Sequence, residues 1–551
     1  MNTWKQKGQY NTIEEAISAS IGFPAAELKN CTMEDPRNTQ NMLEATNALV
    51  NAINAYTPIT VVGDYDSDGL NATAILQKIM NYYGAYPQTI IPKRMSEGYG
   101  LSKDIIDAIA PGTFVITVDN GIAAVDEIAQ LREKNCFVVI MDHHLPGDTL
   151  PPANIIVDPH VSPENNKYIY YCGAGLALQM SLLLLEADTS DAAARLRNEL
   201  TAHAAIATIT DVMPLTGCNR AIVMKGLHVL NDNLSDIGAG LRALRKTAGA
   251  DDCTEETIGF KLGPIINAPA RLYNAGGTSV LKELTCTDDQ TADGYMSKML
   301  EINEARKLLV QEKTVVVEDS IKNNYTLAQG SPLCVYCPEI PEGIIGIIAG
   351  KLAESYKMPA FVFSDTNENG ILKASGRSGG TMDITPILDA VKPLTVKCGG
   401  HAGAAGLSIQ KDNFKAVADA MHKAVKNLPQ DEKDTVLYYD LELTPKDVEQ
   451  ALREVKSYAP YGEGVTKPVF VIRGFQPISK FGSTYRFIGQ SKEHLKLNGA
   501  EFDAIGFGLA KQFIEMDCPI QLDLLCKLGE NHYNGKTTIQ VELIDFKPSE
   551  N

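Results

Sequence analysis

The chain has 551 residues, a formal net charge of −18, and a composition of 44% hydrophobic and 21% charged residues. This length exceeds what one hydrophobic core supports and predicts about three domains, and the composition excludes fibrous and disordered proteins. The strongly acidic balance argues against a protein that binds nucleic acid over its whole surface, so any such binding must be local.

Targeting signals and cysteine usage bear on the cellular compartment. Residues 1–6 lead into polar sequence without a basic-then-apolar leader, and no apolar run is long enough to cross a membrane. The 11 cysteines are scattered, mostly in apolar segments. This distribution is typical of a reducing compartment, and we therefore expect a cytoplasmic protein.

The first part of the chain predicts a doubly wound α/β domain. Residues 1–57 are polar and predict helices that pack against this domain. From residue 59 to about 211, strand-like and helix-like segments alternate, which is typical of a parallel sheet covered by helices. Ser102 is a suitable N-cap for a helix over 103–110. The segments predicted as buried parallel strands are 60–62, 88–91, 113–118, 136–141 and 154–157.

Acidic and imidazole side chains follow four apolar segments that end at 62, 118, 141 and 210, where we expect strands to end. The carboxyl ends of parallel strands meet at one crevice, so these side chains should converge there. Crowded carboxylates repel one another, and bound divalent cations neutralise them. Oxygen and imidazole ligands suit Mn²⁺ or Mg²⁺, which predicts metal-dependent chemistry on a phosphate. The residues are Asp64, Asp66, Asp68, Asp119, Asp142, His143, His144 and Asp211.

Each of these motifs has a simpler explanation when it is taken alone. An acidic residue after a strand is commonly a helix N-cap, as Asp68 would be for a helix over 69–83. Asn120 and Gly121 would form an ordinary turn, and paired histidines in a loop are usually solvated. Four motifs in the same position relative to predicted strands favour the metal site over these alternatives.

Beyond residue 212 the chain predicts a helical connector and a second, smaller α/β domain. Residues 212 to about 325 are rich in helix-like sequence, and 295–317 has apolar residues at helical spacing without Pro or Gly. One long helix should therefore join the two domains. The second domain has predicted strands at 333–337 and 360–363, a helix at 344–356, and glycine-rich segments at 375–380 and 399–406 that we expect to form loops.

The last part of the chain predicts a small β-barrel. The acidic segment 431–434 marks a boundary, and a helix-like insert at 509–515 interrupts a series of short alternating runs. Asn534-Gly535 is a hairpin signal. The pattern fits an OB-type barrel and equally other small barrels. The predicted strands are 468–472, 485–488, 494–497, 504–507, 520–525 and 537–543. The resulting domains are 1–57, 58–215, 216–325, 326–430 and 435–551.

Positive charge is concentrated in the predicted barrel. Residues 461–500 contain six Lys or Arg against two Glu, so a local basic face can exist on an acidic protein. The six residues are Lys467, Arg473, Lys480, Arg486, Lys492 and Lys496.

The motifs resemble those of a known superfamily. Gly-Asp-Tyr-Asp-Ser-Asp-Gly at 63–69, Val-Asp-Asn-Gly at 118–121, Asp-His-His at 142–144 and Asp-Val-Met-Pro-Leu at 211–215 resemble the four successive motifs of the DHH phosphoesterase superfamily. The segments 374–378 and 399–406 resemble signatures of its second, DHH-associated domain. The segments 92–94 and 97–101, with 262–264 and 267–268, narrow the resemblance to the RecJ family of single-strand-specific exonucleases of bacterial DNA repair and recombination. One departure is Asn-Ala-Pro-Ala-Arg at 267–271, where the family pattern is Asn-Ala-Ala-Gly-Arg and where Pro and Ala should stiffen the loop.

The resemblance implies a 5′→3′ exonuclease that releases 5′-mononucleotides with two Mn²⁺ or Mg²⁺ ions, and it selects an OB barrel. It implies a cytoplasmic monomer, with single-stranded DNA bearing a 5′ end, a single-strand-binding protein and a helicase as partners and no membrane. Asp119, from a central strand, would bridge the ions. The implied catalytic residues are Asp66, Asp119, His144 and Asp211. The implied metal ligands are Asp64, Asp66, Asp68, Asp119, His143 and Asp211. The implied DNA or phosphate contacts are Arg94, Tyr99, Arg271, Ser375, Arg377, Gly399, Gly400 and His401.

Two other functions share part of this pattern. Superfamily members that act on short oligoribonucleotides, adenosine bisphosphate or polyphosphate share the metal motifs but lack a C-terminal barrel, and residues 451–551 weigh against them. A non-catalytic replication scaffold of the same fold should have lost its carboxylates. Every carboxylate and imidazole of the four motifs is present in this sequence.

Overall fold

A computed structural model of the protein describes residues 2–98, 100–249, 252–324, 332–366, 370–379, 382–427, 436–480, 482–489, 492–533 and 536–549. The first elements are β1 Thr3–Gln6, α1 Ile13–Ile21 and α2 Met42–Asn54. The predicted all-helical N-terminal segment is therefore wrong at its start. Strand β1 has no apolar run to mark it, because it is exposed and pairs with a strand from the other end of the chain.

The first domain is built on a five-stranded parallel sheet of order β3-β2-β4-β5-β6. Its elements are β2 Ile59–Val62, α3 Ser67–Tyr82, β3 Gln88–Ile90, α4 Lys103–Ala108, β4 Phe114–Val118, α5 Val125–Glu133, β5 Phe137–Met141, β6 Ile155–Val157, α6 Gly173–Leu184 and α7 Asp191–Thr210. All five predicted strands are present and parallel. Ser102 caps α4, as predicted, by accepting a hydrogen bond from the Ile105 amide.

Alternate residues of the strands face two separate cores, as a doubly wound sheet requires. Ile116 and Val139 pack into the core that contains α2, α3 and α6. Val115 and Val138 face the opposite side, where α4 and α5 cover the sheet. The carboxyl edge of the sheet therefore stays between two layers of helices, and the loops that follow β2, β4 and β5 line it.

A helical connector leads to the second domain. Its elements are α8 Gly217–Asp232, α9 Ala239–Lys246, α10 Glu255–Thr257, a π-helical turn Ile258–Leu262, α11 Gly263–Leu272, α12 Gly276–Leu284 and α13 Asp289–Asn324. The predicted long helix is thus present and longer than expected, at 36 residues. The segment 267–271, predicted as a loop, is instead helical and contains Pro269 inside α11.

The second domain contains a five-stranded mixed sheet of order β10-β11-β9-β8-β7. Its elements are β7 Leu333–Tyr336, α14 Ile345–Tyr356, β8 Ala360–Asp365, β9 Ile371–Arg377, α15 Thr385–Val391, β10 Lys397–His401, β11 Ala404–Gln410 and α16 Phe414–Asn427. Of the glycine-rich segments predicted as loops, residues 375–377 lie in β9, 399–401 in β10 and 404–406 in β11. Glycines in a strand usually signal a break, but here Gly399 and Gly406 leave the sheet surface open.

The C-terminal domain has a seven-stranded sheet of order β13-β14-β18-β19-β17-β16-β15. Its elements are β12 Val436–Tyr439, β13 Leu441–Leu443, α17 Val448–Lys456, β14 Phe470–Phe475, β15 Tyr485–Ile488, β16 His494–Leu497, β17 Asp503–Gly506, α18 Ala510–Glu515, β18 Leu522–Tyr533 and β19 Lys536–Pro548. Strands β18 and β19 pair antiparallel up to Tyr533 and Lys536. The predicted turn at 534–535 lies outside the described residues.

Two sets of contacts join the N-terminal segment to the C-terminal domain, one of them directly and the other through the connector. Strand β1 pairs in parallel with β12, and the Trp4 indole donates to Asp545 of β19 at 2.8 Å. The guanidinium of Arg220 on α8 is buried and donates to the backbone oxygens of Leu28 and of residues 458–460. No helix in the described part of the chain is long and apolar enough to cross a membrane.

Candidate active site

A cleft of about 890 Å³ separates the first sheet from the second domain. The carboxyl edge of the first sheet and the start of α3 form one wall, and strands β9, β10 and β11 form the opposite wall. Acidic side chains predominate on the first wall, and Lys373, Arg377 and Lys397 lie on the second, where Glu342 pairs with Lys373 at 2.7 Å. The cleft therefore offers a metal-binding wall facing a phosphate-binding wall.

The loop between β2 and α3 carries three acidic residues with different roles. The N-cap of α3 is Asp66, not the predicted Asp68, because Asp66 Oδ1 accepts from the amides of residues 68 and 69 at 3.0 and 3.2 Å. The Asp68 carboxylate instead accepts from the amides of Gly173 at 2.6 Å and Ala174 at 2.8 Å, at the start of α6. Two helix N-termini thus orient Asp66 and Asp68.

Asp119 follows β4 in the left-handed backbone region, with φ of 61°. Its amide donates to the Met141 oxygen of the neighbouring strand at 3.0 Å. The turn is tightly packed, since a Cβ at Gly173 would lie 2.7 Å from Asp119 Cβ. Only a glycine at 173 therefore lets α6 approach the cluster this closely.

His143 lies at the centre of the cluster. Its Nε2 is 3.1 Å from Asp119 Oδ1, 3.6 Å from Asp68 Oδ2 and 3.7 Å from Asp211 Oδ2. Burial lowers the pKa of His143, although the Asp68 carboxylate opposes the shift. A neutral imidazole is the form that binds a metal ion.

Asp211 reaches the cluster from a helix rather than from a strand. The run 206–210, predicted as a strand, is the last turn and a half of α7, and Asp211 is the C-cap residue of that helix. Helix α7 begins at the N-cap Ser190, and its apolar C-terminal half is buried. A short apolar run cannot be assigned to strand or buried helix from its periodicity alone, which explains the error.

Three groups of side chains have ligand atoms that lie within 4.8 Å of one another. Asp119 belongs to two of the groups, and so does His143, which suits two ions that share ligands. Asp64 Oδ1 is buried and has no hydrogen-bond partner among the described residues, as expected of a cation ligand. The groups are Asp64, Asp66 and Asp119; Asp68, His143 and Asp211; and Asp119, His143 and His144.

The electrostatics of the cluster also fit bound cations. Burial raises the pKa of Asp64, Asp119 and Asp211 well above the ordinary range, and neighbouring carboxylates raise it further. Without a cation, these groups cannot all stay ionised. The donor set of carboxylates and imidazole is the one that Mn²⁺ and Mg²⁺ accept.

The wall formed by the second domain presents a row of aligned side chains. Lys373, Ser375 and Arg377 alternate along β9 and therefore face the same side of the sheet. Arg377 Nη1 donates to Ser375 Oγ at 2.9 Å. Beside Ser375 in the sheet are Gly406 and then Gly399, and a Cβ at either glycine would meet nothing within 4 Å. The two glycines leave an open floor between basic side chains.

Gly400 and His401 occupy the end of β10. A Cβ at Gly400 would lie 2.5 Å from the Ala404 oxygen, so the glycine serves the close approach of β10 and β11. His401 pairs with Ala404, is exposed, and is in the row of Arg377. Neither residue is part of the cleft wall, and a phosphate contact by either remains a prediction.

Two further arginines line the cleft, Arg271 from the connector and Arg94 from the loop after β3. Arg271 on α11 donates to the Gly343 oxygen at 3.2 Å, and burial, with the neighbouring arginines, lowers its pKa to about 10. Arg94 lies 4.8 Å from the centre of the Tyr65 ring. Tyr99 lies outside the described residues.

The sequence analysis missed several residues of the site. Gly173 and Ala174 lie 105 residues from Asp68, and no local pattern connects them. Lys373 and Lys397 line the cleft. The two-residue spacing of Lys373, Ser375 and Arg377 was the available signal, because it places three polar side chains on one face of a strand.

Comparisons with known protein families cover most of the chain. The models of the DHH family N-terminal domain, the DHHA1 domain and the RecJ OB domain match residues 58–208, 330–427 and 439–545. These matches, with the three sheets, confirm the predicted fold class of a doubly wound α/β domain, a smaller α/β domain joined by a long helix, and a C-terminal OB domain.

Individual relatives are similar over nearly the whole chain. The single-stranded-DNA-specific exonuclease RecJ of Escherichia coli is 30% identical over 533 residues, which are 92% of this chain and 90% of that protein. The RecJ of Haemophilus influenzae is 29% identical over 94% of this chain and 92% of its own length. The crystal structure of Thermus thermophilus RecJ with Mn²⁺ has a TM-score of 0.80 and 26% identity, covering 97% of this chain and 76% of that one.

Proposed function

This chain belongs to the RecJ family of single-stranded-DNA-specific exonucleases, and we propose on that premise that it degrades single-stranded DNA from the 5′ end and releases 5′-mononucleotides. The observation that carries the proposal is the cleft itself, in which a buried cluster of carboxylates faces Lys373, Ser375 and Arg377. Hydrolysis of a phosphodiester requires both walls, because the carboxylate wall serves to activate water and the basic wall serves to hold the strand.

The carboxylate wall supports binding of two divalent cations, Mn²⁺ or Mg²⁺, which would activate water and stabilise the leaving oxygen. We assign Asp64, Asp66 and Asp119 to one ion and Asp68, His143 and Asp211 to the other, with Asp119 shared. The amides of Gly173 and Ala174 orient Asp68, and the α3 amides orient Asp66.

His144 would act on the substrate rather than on a metal ion. The Asp142 carboxylate accepts from His144 Nδ1 at 2.7 Å and fixes the ring. Burial lowers the pKa of His144, but the hydrogen bond and charge of Asp142 outweigh it and raise the pKa to about 9. A protonated ring can donate from Nε2 to a phosphate oxygen and later to the leaving group.

The basic wall would set the direction of digestion. Arg377 and Ser375, with Arg271 from the connector, form a set of donors that suits a terminal phosphate. An end held there places the first phosphodiester toward the carboxylates, so the strand would be shortened from its 5′ end. We further assign Arg94, Tyr99, Gly399, Gly400 and His401 to the path of the strand.

The C-terminal domain, the domain boundaries and the cellular setting complete the proposed function. The OB domain at 435–551 would hold the strand outside the cleft, as OB folds bind single strands. We also propose the divisions 1–57 as an N-terminal extension, 58–215 as the DHH domain, 216–325 as the connector and 326–430 as the DHH-associated domain. A cytoplasmic monomer that works with a helicase and a single-strand-binding protein is part of the same proposal.

Digestion of end-labelled oligonucleotides tests the function directly. With Mn²⁺, a 5′-labelled single strand should yield labelled mononucleotide as the first product, while a 3′-labelled strand should shorten stepwise. A blunt duplex and pyrophosphate should stay intact, and a chelator should stop the reaction. Release of mononucleotide first from the 3′ end, or hydrolysis of pyrophosphate in place of DNA, would overturn the proposal.

A further inference from the structure

Asp211 is held by a different framework from the other members of the metal cluster. Asp68, Asp119 and His143 follow strands β2, β4 and β5, whose hydrogen bonds fix their spacing. Asp211 ends helix α7, which is outside the sheet. Its distance from Asp68 therefore depends on how α7 packs against α3.

A chain of buried hydrogen bonds joins these two helices directly beneath the cluster. The hydroxyls of Thr210 and Ser67 lie 2.8 Å apart. The Asn71 amide donates from Nδ2 to the Ser67 backbone oxygen at 2.7 Å. Asn71 Oδ1 lies 2.8 Å from His203 Nδ1, on α7 two turns before its end. Ser67 stands between Asp66 and Asp68, and Thr210 precedes Asp211, so the chain ends at the ligands.

The hydrogen bonds among these groups allow one assignment of donors and acceptors. Since Asn71 Nδ2 donates to Ser67, its Oδ1 must accept, and His203 must carry its proton on Nδ1. Burial lowers the pKa of His203 well below the ordinary range, which keeps the ring neutral. His203 and Asn71 are fully buried, and burying such polar groups is costly unless their hydrogen bonds are made. This polar pair, together with the ion pair between Lys78 on α3 and Glu199 on α7 at 2.9 Å, therefore favours one register of α7 on α3.

We propose that His203, acting through Asn71, Ser67 and Thr210, is a positioning residue that sets the separation of Asp68 and Asp211 and hence the affinity of the ion held by Asp68, His143 and Asp211. The inference rests on the proposed function in treating these side chains as metal ligands. Groups that orient ligands typically change metal affinity by 10- to 100-fold when they are removed.

Two matched pairs of variants test the inference on the full chain. Thr210→Val removes the hydroxyl that contacts Ser67. Thr201→Val removes a buried hydroxyl of the same helix. That hydroxyl donates to the backbone oxygen of Arg197, within α7. His203→Leu fills the site without a donor, whereas His203→Asn keeps a donor at the position of Nδ1 and leaves a gap. Comparison within each pair distinguishes the effect of losing a hydrogen bond from the effect of changing the packing.

Calorimetric titration of the metal-free protein with Mn²⁺, without DNA, gives the affinity of each ion. We expect His203→Leu and Thr210→Val to weaken the binding of one of the two ions about tenfold or more and to leave the other nearly unchanged, with Thr201→Val and His203→Asn within about threefold of wild type for both ions. The rate at limiting Mn²⁺ should fall in the same two variants and recover at high Mn²⁺, with KM for DNA unchanged.

Three results would overturn the inference. They are unchanged Mn²⁺ affinity in both His203→Leu and Thr210→Val, an equal loss in Thr201→Val, and a wild-type protein that binds no second ion. A wild type that binds two ions but does not cut DNA would refute the proposed function and leave the binding test of His203 intact. Thr210→Val retains the volume of the side chain, so the test stands even if His203→Leu does not fold.

Discussion

The Nδ1 atom of His144 donates to Oδ1 of Asp142 at 2.7 Å, and both oxygens of Asp142 also accept backbone amides, from Ile122 and from His143. The carboxylate is thereby fixed and ionised, since its hydrogen bonds lower its pKa although burial raises it. One buried anion thus controls the charge of an imidazole beside the metal cluster.

Replacing Asp142 by Asn should lower the pKa of His144 from about 9 toward the ordinary value. The raised pKa means that protonated His144 stabilises the fold fully below about pH 6.5 and that this stabilisation disappears as the pH rises through 9. The variant should therefore lose most stability relative to wild type at low pH. Ring titration by NMR and unfolding curves in chelator test this, with Asp158→Asn, beside His160, as the control. An unchanged titration of His144 would contradict the assignment.

Asp119→Asn should reduce hydrolysis to below a few per cent of the wild-type rate at saturating Mn²⁺. The change removes the shared carboxylate, while Asn tolerates the left-handed φ of 61°. Asp119→Ala should be equally inactive but less stable than Asp119→Asn, by about 1 kcal/mol, because alanine is strained there. Initial rates and thermal melts of both variants decide this. Substantial activity in Asp119→Asn would rule out the bridging role.

Arg377→Ala should reduce kcat/KM on a 5′-phosphorylated strand by an amount equivalent to about 2–4 kcal/mol. The loss should be small on a 5′-hydroxyl strand, because the guanidinium then has no phosphate to hold. Lys411→Ala, a change at an exposed ion pair of the same domain, serves as the control. Equal losses on both strands would show that Arg377 binds the backbone generally and that direction is set elsewhere.

The basic face predicted on the C-terminal domain is smaller than the sequence indicates. Lys467, Arg473, Lys480 and Lys496 form ion pairs with carboxylates. Arg486 and Lys492 are exposed and form no ion pair within the part of the chain that the structure describes.

DNA affinity falls with salt, and the slope of log affinity against log salt concentration measures this. Arg486→Gln and Lys492→Gln should therefore each make the slope less steep by roughly 0.7 for every phosphate that the variant no longer neutralises. Arg473→Gln should leave the slope unchanged and lower stability instead. Affinity measured over a range of salt concentrations tests this. Point variants are better suited than deletion of the domain, because β12 pairs with β1. A flattened slope in Arg473→Gln alone would reverse the assignment.

Glu283→Gln should stabilise the protein, and the gain should grow with pH. Glu283 is fully buried, and neither of its carboxylate oxygens has a partner among the described residues. Burial raises its pKa to about 8, so the protonated form stabilises the fold fully below about pH 4.5 and this stabilisation is lost up to pH 8. The difference in unfolding free energy between Glu283→Gln and wild type should be larger at pH 8.5 than at pH 5 by about 1–4 kcal/mol. A difference that does not change with pH would contradict a buried, neutral Glu283.

Much of the first domain could be predicted from its sequence. Strands buried on both faces are continuous apolar runs, so β2, β4 and β5 are visible, and the acidic residues that follow them could be named. Asp211 was identified for a reason that is wrong, since its apolar run is helical. The N-cap Ser190 and the alanines that follow it were the signal for α7.

The rest depends on contacts between distant segments. Asp68 accepts a hydrogen bond from Gly173 of α6, 105 residues away in the sequence. Arg220 donates to the Leu28 oxygen, 192 residues away. The Pro inside α11 contradicts its own local preference, and packing overrides it. Local propensity carries no information about such pairs, and only the folded chain reveals which amides orient which carboxylate.

The pairing of β1 with β12 also constrains how the protein is made. Thr3 pairs with Val436, so the first strand emerges from the ribosome long before its partner exists. At roughly 5–20 residues per second, the wait lasts on the order of 20–90 s. Throughout that time the backbone groups of Thr3–Gln6 and the indole of Trp4 lack the partners they have in the finished fold. Synthesis as far as Asp545, rather than completion of the first two domains, is therefore the event that ends this exposure of Thr3–Gln6 and Trp4.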